Sequence, residues 1–148
     1  TRGKLLRRAA VVEAVGGKGA RFNVVLSDCC AVEGGRLEPE EKMGASRAVS
    51  TPERLKKLFR TYSGFFDVSS SADYQYSFGG VFTPALIEKV LLRGAEKTWS
   101  EVFDRTQHLA MAAADGALPA DAKKKLKKEG KAVEDHQKPV AFTLPDEP

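Results

Sequence analysis

The chain has few cysteines, few histidines and no long apolar run. Its two cysteines are adjacent, at Cys29 and Cys30. A disulfide between neighbours would close too small a ring to stabilise a fold, so we expect a reducing, cytoplasmic location. No stretch approaches the roughly 20 apolar residues that a membrane-spanning helix needs. The basic start of the chain, residues 1–8, does not resemble a signal peptide.

The composition is otherwise that of one globular domain. Hydrophobic residues make up 42% of the 148 residues and charged residues 30%, which is ordinary for a chain that buries a core. The net charge of +4 is compatible with nucleic-acid binding. Much of that charge, however, lies in one lysine-rich run, residues 123–128, with no aromatic side chains between the lysines to stack on bases. We interpret the run as a solvated helix or loop and keep nucleic-acid binding as a minor alternative. We predict no metal and no cofactor.

Short apolar runs alternate with helical periodicity along the chain, which predicts the α/β class with a mostly parallel sheet flanked by helices. Continuous apolar residues over 22–27 are typical of a strand that is covered on both faces. The remaining expected elements are a helix over 4–15, a flexible loop over 31–50, a helix from 50–53, a strand over 65–71, a helix capped at 83–84, a helix around 99–109, a polar insertion or extended helix over 115–138, and an edge strand over 138–145. Trp99 is expected in the core.

Chemically active side chains follow the first predicted strand directly. In open α/β sheets, ligands bind beyond the carboxyl ends of the strands, and Asp28, Cys29 and Cys30 stand at such an end. Side chains alternate along a strand, so Asp28 and Cys30 share one side and Cys29 points to the other. Two interpretations stay open: Cys30 is a nucleophile, or both thiols are structural. Because a nearby carboxylate raises the pKa of a thiol, Asp28 is better suited to holding a basic group of a substrate.

Three separated stretches carry a resemblance to a known family. They read "RFNVVLSDCC", "FFDVSSSADYQYSFGGVFTPALIEKV" and "HQKPVAFTLP". In this order they resemble the second part of a caspase-like cysteine peptidase, of the caspase and metacaspase clan in its bacterial form. Asp28-Cys29-Cys30 matches the Asp-x-Cys of that family, which implies that Cys30 is the nucleophile. The resemblance also implies a caspase-like sheet, with residues 1–148 forming the carboxyl-terminal part of a peptidase domain.

The family places its catalytic histidine upstream of the cysteine, and no histidine precedes Cys30 here. The two histidines present, His108 in a predicted helix and His136 in a charged segment, are better explained as surface or structural residues. The resemblance therefore implies a processed enzyme whose histidine lies on a separate upstream chain of the same precursor, and a start at Thr1 fits such processing. Ala31 also stands where the family usually has His-Ser-Gly.

The resemblance implies a protein or peptide substrate cleaved after arginine or lysine. In metacaspase-like members the acid of Asp-x-Cys helps hold the basic side chain, and a buried Asp28 carboxylate would do so here. Ser71, Asp73 and Tyr74 are the further candidates for substrate binding, although Asp73 equally suits an Asx-turn that shapes its loop.

The loop over 31–50 contains possible self-cleavage sites after three basic residues, Arg36, Lys42 and Arg47. The alternative function is a catalytically inactive caspase-like subunit that binds or scaffolds other proteins.

Overall fold

The structure is a computed structural model, and it describes residues 7–28, 52–73, 75, 77–78, 80–118, 120–130, 137–146 and 148. In chain order the elements are α1 (Arg8–Gly16), β1 (Phe22–Ser27), α2 (Pro52–Thr61), β2 (Gly64–Ser69), α3 (Phe82–Pro84), a π-helix (Ala85–Leu91), α4 (Trp99–Ala117), α5 (Ala120–Lys128) and β3 (Val140–Thr143). The α/β class predicted from the sequence is confirmed.

The described strands form one sheet in the order β1-β2-β3. β1 pairs with β2 in parallel, in an unbroken register from Phe22 opposite Gly64 to Ser27 opposite Ser69. β2 pairs with β3 in antiparallel fashion, with an irregularity at Asp67. The prediction of a mostly parallel sheet is therefore replaced by a mixed one over the described strands. The last strand runs back along β2, which the alternation of apolar residues does not reveal.

The main core lies on one face of the sheet, against α2 and the helices that follow β2. Phe66 and Val68 of β2 are buried there, and Trp99, at the start of α4, is 1% exposed. The indole Nε1–H of Trp99 donates a hydrogen bond of 2.8 Å to the carbonyl of Leu58 in α2. Its ring also packs on Phe66 at 4.4 Å between centroids. The expectation that Trp99 belongs to the core is confirmed.

The amino end of α4 is closed by a capping box between Thr98 and Glu101. The Thr98 hydroxyl accepts from the Glu101 N–H at 3.1 Å. The Glu101 carboxylate in turn accepts from the backbone N–H groups of Lys97 and Thr98. The hydrogen bond from the Lys97 N–H, and to a smaller extent that from the Thr98 N–H, lowers the pKa of Glu101, because each favours the charged form of the carboxyl.

The other face of the sheet is covered by α1. Asn23 and Val25 of β1 are buried on that side, and α1 contacts β1. Arg8 of α1 forms an ion pair with the buried Asp67 of β2, and its guanidinium lies 3.3 Å from the ring centroid of Phe142 in β3. This one side chain therefore connects α1 to the central strand β2 and to its neighbour β3.

Several predicted boundaries are wrong by a few residues. The first helix begins at Arg8 within the described residues and ends at Gly16, and the second strand ends at Ser69 rather than 71. Thr83 does not cap the helix that it was expected to begin, because α3 starts at Phe82 and its N-cap is Val81. The Thr83 hydroxyl has a charged acceptor elsewhere, in the Asp28 carboxylate.

The segment predicted as a polar insertion or extended helix is helical where it is described. α4 continues to Ala117 and α5 contains the lysine run. The Lys123 ammonium lies 3.0 Å from the Asp115 carboxylate of α4, and the other lysines of the run are exposed. The flexible loop expected over 31–50, with its proposed cleavage sites, and the expected helix cap at Ser50 lie outside the described residues. No helix in the described ranges has the length and apolar character needed to cross a membrane.

Candidate active site

Two polar clusters predicted from the sequence lie together at one edge of the sheet. Because β1 and β2 are parallel, their carboxyl ends coincide, and Asp28 follows β1 where Ser70 and Ser71 follow β2. The pairing extends one step beyond the strands, since the Ser70 N–H donates to the Ser27 carbonyl at 2.8 Å. The parallel pairing therefore brings together the carboxyl ends of β1 and β2, where the sequence predicts substrate binding.

Asp28 is held by hydroxyl groups from two later segments of the chain. Thr83 Oγ1 donates to Asp28 Oδ2 at 2.6 Å, and Ser77 Oγ donates to Asp28 Oδ1 at 3.2 Å. An ionised carboxylate offers about four acceptor positions, so these bonds fix its orientation and leave acceptor positions for a third group. Asp28 is exposed, whereas the sequence prediction treated it as buried. The carboxylate is thus accessible to a cation from solvent.

The direction of the hydrogen bonds through Ser77 follows from its partners. The amide Nε2 of Gln137 can only donate, and it lies 3.4 Å from Ser77 Oγ. Ser70 Oγ lies 2.8 Å from the same oxygen. The Asp28 carboxylate only accepts, so the single Ser77 hydrogen goes to Asp28 and Ser70 donates to Ser77. The buried amide of Gln137 therefore helps to orient the exposed Asp28 carboxylate through the hydroxyl of Ser77.

Two glutamines fasten the loop after β2 to the segment before β3. Gln137 is 1% exposed; its Oε1 accepts from the Phe78 N–H at 2.8 Å, and its Nε2 donates to the Ser70 carbonyl at 3.2 Å. Gln75 Oε1 accepts from the backbone N–H groups of Ala72 and Lys138 at 3.2 and 2.8 Å. The described residues of this loop are thus held by side-chain hydrogen bonds rather than by a regular element.

Sequence reasoning missed both glutamines and the roles of Ser77 and Thr83. Asp28 is 49 residues from Ser77, and the partners Phe78 and Ser70 are 59 and 67 residues from Gln137. Hydrogen bonds of that separation leave no periodicity in the sequence. The only local indication for Gln137 is its place immediately before a predicted strand, which does not distinguish it from a surface residue.

The remaining predicted residues differ in how they are placed. Ser71 is buried, and its hydroxyl has no hydrogen-bond partner among the described residues. Asp73 is exposed in a turn that the Gln75 N–H closes on the Ala72 carbonyl at 3.2 Å. Within the described part of the chain, no hydrogen bond or ion pair to the Asp73 side chain is seen, including one that would make an Asx-turn. His108 is exposed on α4.

Four of the residues considered for the site lie outside the described residues: Cys29, Cys30, Tyr74 and His136. Their expected roles, and the expected position of Cys30 on the same side as Asp28, therefore stay predictions. The described part of the site consists of one oriented carboxylate surrounded by hydroxyl and amide groups. This arrangement suits recognition of a guanidinium or ammonium group. Among the described residues, no group of three or more histidine, cysteine or acidic side chains is placed to hold a metal ion.

Comparison with known proteins adds no relative to this description: no protein-family model, no curated protein and no solved structure matches the chain.

Proposed function

We propose that the chain is the nucleophile-bearing part of a caspase-like cysteine endopeptidase, with Cys30 as the attacking group. The observation that carries the proposal is the oriented, accessible carboxylate of Asp28, two residues before Cys30, at the shared carboxyl end of β1 and β2. A residue that binds substrate and a residue that attacks it must be close together. Asp28 and Cys30 satisfy this requirement through the sequence itself.

In the proposed reaction, a histidine from an upstream chain of the same precursor removes the Cys30 proton. The thiolate attacks the carbonyl carbon of the scissile peptide bond, and the protonated histidine returns the proton to the leaving amine. Water then hydrolyses the thioester, which releases the acid product and restores the thiol. The backbone N–H of Cys30 is the proposed donor to the oxyanion on this chain.

Asp28 sets the proposed preference for arginine or lysine before the cleaved bond. Its free acceptor positions match the donors of a guanidinium, whereas an acidic substrate side chain would be repelled. The proposal assigns Asp73 and Tyr74 to the substrate-binding side of the loop after β2, and Ser71 to the wall beneath it. A cytoplasmic location is also proposed, since both thiols stay reduced there.

An inactive binding subunit is the second candidate, and one observation favours it. No histidine stands among residues 1–29, His108 is exposed on α4, and His136 lies outside the described residues. On this alternative the same edge binds basic segments of a protein without cleaving them. The two candidates differ in the reactivity of Cys30.

The test measures the intact mass of the purified protein before and after treatment with an arginyl acyloxymethyl ketone, which alkylates thiols positioned beside a bound basic side chain. We expect one added label and its loss in Cys30→Ala. Cys29→Ala is the matched control and should retain labelling. Asp28→Asn should lower the labelling rate about 10- to 100-fold, because a charge-assisted contact is lost.

Other outcomes assign the protein to the alternative or reject both candidates. Equal slow labelling of both cysteines, with the arginyl reagent no faster than iodoacetamide, would remove the peptidase proposal. Binding of an arginine-containing peptide that is lost in Asp28→Asn would then support the inactive subunit. The proposal also predicts a second polypeptide in the intact-mass spectrum of the active preparation, which would carry the histidine.

A further inference from the structure

Among the described strands, β1 lies at the edge of the sheet and has one hydrogen-bonding side open. In the described sheet, β2 lies on one side of β1 and no strand lies on the other. The carbonyls of Arg21 and Ser27 accept from β2-side amides at 2.8 Å each. Because backbone groups alternate in direction along a strand, the N–H and C=O groups of Phe22, Val24 and Leu26 point to the open side. These groups form a template for another strand.

The same residues also leave an apolar surface uncovered. Val24 and Leu26 pair in register with Phe66 and Val68, which lie on the core face, so their side chains belong to that face too. Phe66 and Val68 are buried, yet Val24 is 37% and Leu26 40% exposed. The core face therefore ends abruptly at β1, with aliphatic side chains in solvent.

An aromatic side chain continues this surface toward the start of the strand. The ring of Phe59 in α2 is 43% exposed and lies 6.1 Å from that of Phe22. Three of the four large exposed hydrophobics of the described chain thus belong to one strip along β1, made of Val24, Leu26 and Phe59. A concentration of this kind marks an interaction surface rather than scattered exposure.

Charge at the start of β1 identifies the chemistry of the partner. Arg21 and Arg60 are adjacent there, since the Arg21 guanidinium donates to the Arg60 carbonyl. Both residues are exposed, and neither forms an ion pair within the described ranges. Asp28 is the one acid of residues 21–28, and it stands at the other end of the strand. The cationic end of β1 therefore carries no acid of its own, and a partner strand with an acidic residue at this position complements it.

We propose that the open edge of β1 binds an extended strand of a different polypeptide. That strand carries apolar side chains at alternate positions, which cover Val24, Leu26 and Phe59, and an acidic residue at the end that lies beside Arg21 and Arg60. The backbone groups of β1 provide the pairing, and the apolar strip with the two cations provides the specificity. This inference concerns the sheet edge alone and holds whether or not Cys30 is a nucleophile.

The test is an NMR titration of the isotope-labelled full chain carrying Cys30→Ser, which removes thiol chemistry from the readout. The probes are acetylated peptides, Glu-Glu-Val-Thr-Val-Thr-Val-Thr and its reverse, because the edge accepts a strand in either direction. Counterparts with lysine in place of glutamate are the charge controls. We expect saturable shifts at the β1 amides with an acidic probe, and about tenfold weaker binding of the lysine peptides.

Two edge variants and one matched control locate the binding. Val24→Pro removes an N–H that points away from β2, and Leu26→Gln makes the strip polar; each should weaken binding about tenfold or more. Phe142→Gln, which alters an exposed apolar residue on the opposite edge strand, should bind as the parent does. Circular dichroism checks that each variant folds. If Val24→Pro does not fold, the comparison of Leu26→Gln with Phe142→Gln carries the test.

Four results would overturn the inference. If neither acidic probe gives saturable shifts at millimolar concentration, β1 is not a docking site. Shifts confined to β3 would show that the peptides bind to the other edge strand. Equal affinity for the lysine peptides removes the acidic partner. Concentration-dependent dimerisation that Leu26→Gln abolishes would assign the edge to a second copy of this chain.

Discussion

Replacing Gln137 by leucine should destabilise the protein far more than an ordinary loss of one surface hydrogen bond. The amide is 1% exposed, and its loss leaves the Phe78 N–H and the Ser70 carbonyl without their side-chain partner. Each buried group that loses its partner costs about 1–3 kcal/mol, so we expect a loss of about 2–4 kcal/mol in the free energy of unfolding. Leucine has a similar volume, which keeps any cavity contribution small.

The assay is equilibrium unfolding in urea, with Gln107→Leu as the matched control. Gln107 is only partly buried and donates one hydrogen bond, to the Pro139 carbonyl at 2.7 Å, so its loss should cost about 0.5–1.5 kcal/mol. Hydrogen exchange of the Phe78 amide provides a local readout, because Gln137→Leu should accelerate it. A loss no larger than that of Gln107→Leu, together with unchanged exchange at Phe78, would refute the reasoning.

Four further substitutions test the helices and the turn that follows the π-helix. Trp99→Phe removes the indole donor to the Leu58 carbonyl as well as part of a buried ring, so the free energy of unfolding should fall by about 2–4 kcal/mol in urea; an unchanged midpoint would contradict the packing described here. Gly94→Ala should destabilise by about 1–3 kcal/mol, because a Cβ at this position collides with a backbone carbonyl of the π-helix. Gly116→Ala, where a Cβ meets open space in α4, should instead stabilise by about 0.5–1 kcal/mol, and thermal melts of the two variants should shift in opposite directions. Glu101→Gln should be less stable than the parent at neutral pH. The difference in the free energy of unfolding should close as the pH falls from about 5 through the lowered pKa of the carboxyl, since a depressed pKa stabilises the fold only while the group is ionised. A difference that persists in acid would show that the charge of Glu101 contributes nothing.

The elements built from local patterns are those that the sequence predicts best. The apolar run at 22–27 is β1 with the same boundaries, and the helix expected around 99–109 is the first part of α4. Local composition is less informative where a side chain has a distant partner. Thr83 is a residue type that commonly caps helices, but its hydroxyl donates to Asp28, 55 residues away.

The sequence by itself determines the α/β class, the burial of Trp99 and the position of an acid directly after β1, because each depends on neighbouring residues along the chain. Only the tertiary structure decides what surrounds that acid. Ser77 and Thr83 bond to it directly and Gln137 bonds to Ser77, all from segments far along the chain. These hydrogen bonds have a short range, so they require the fold to be in place first. The antiparallel return of β3 and the open edge of β1 are likewise properties of how strands are ordered, and strand order is set by packing between elements rather than by the pattern within any one of them.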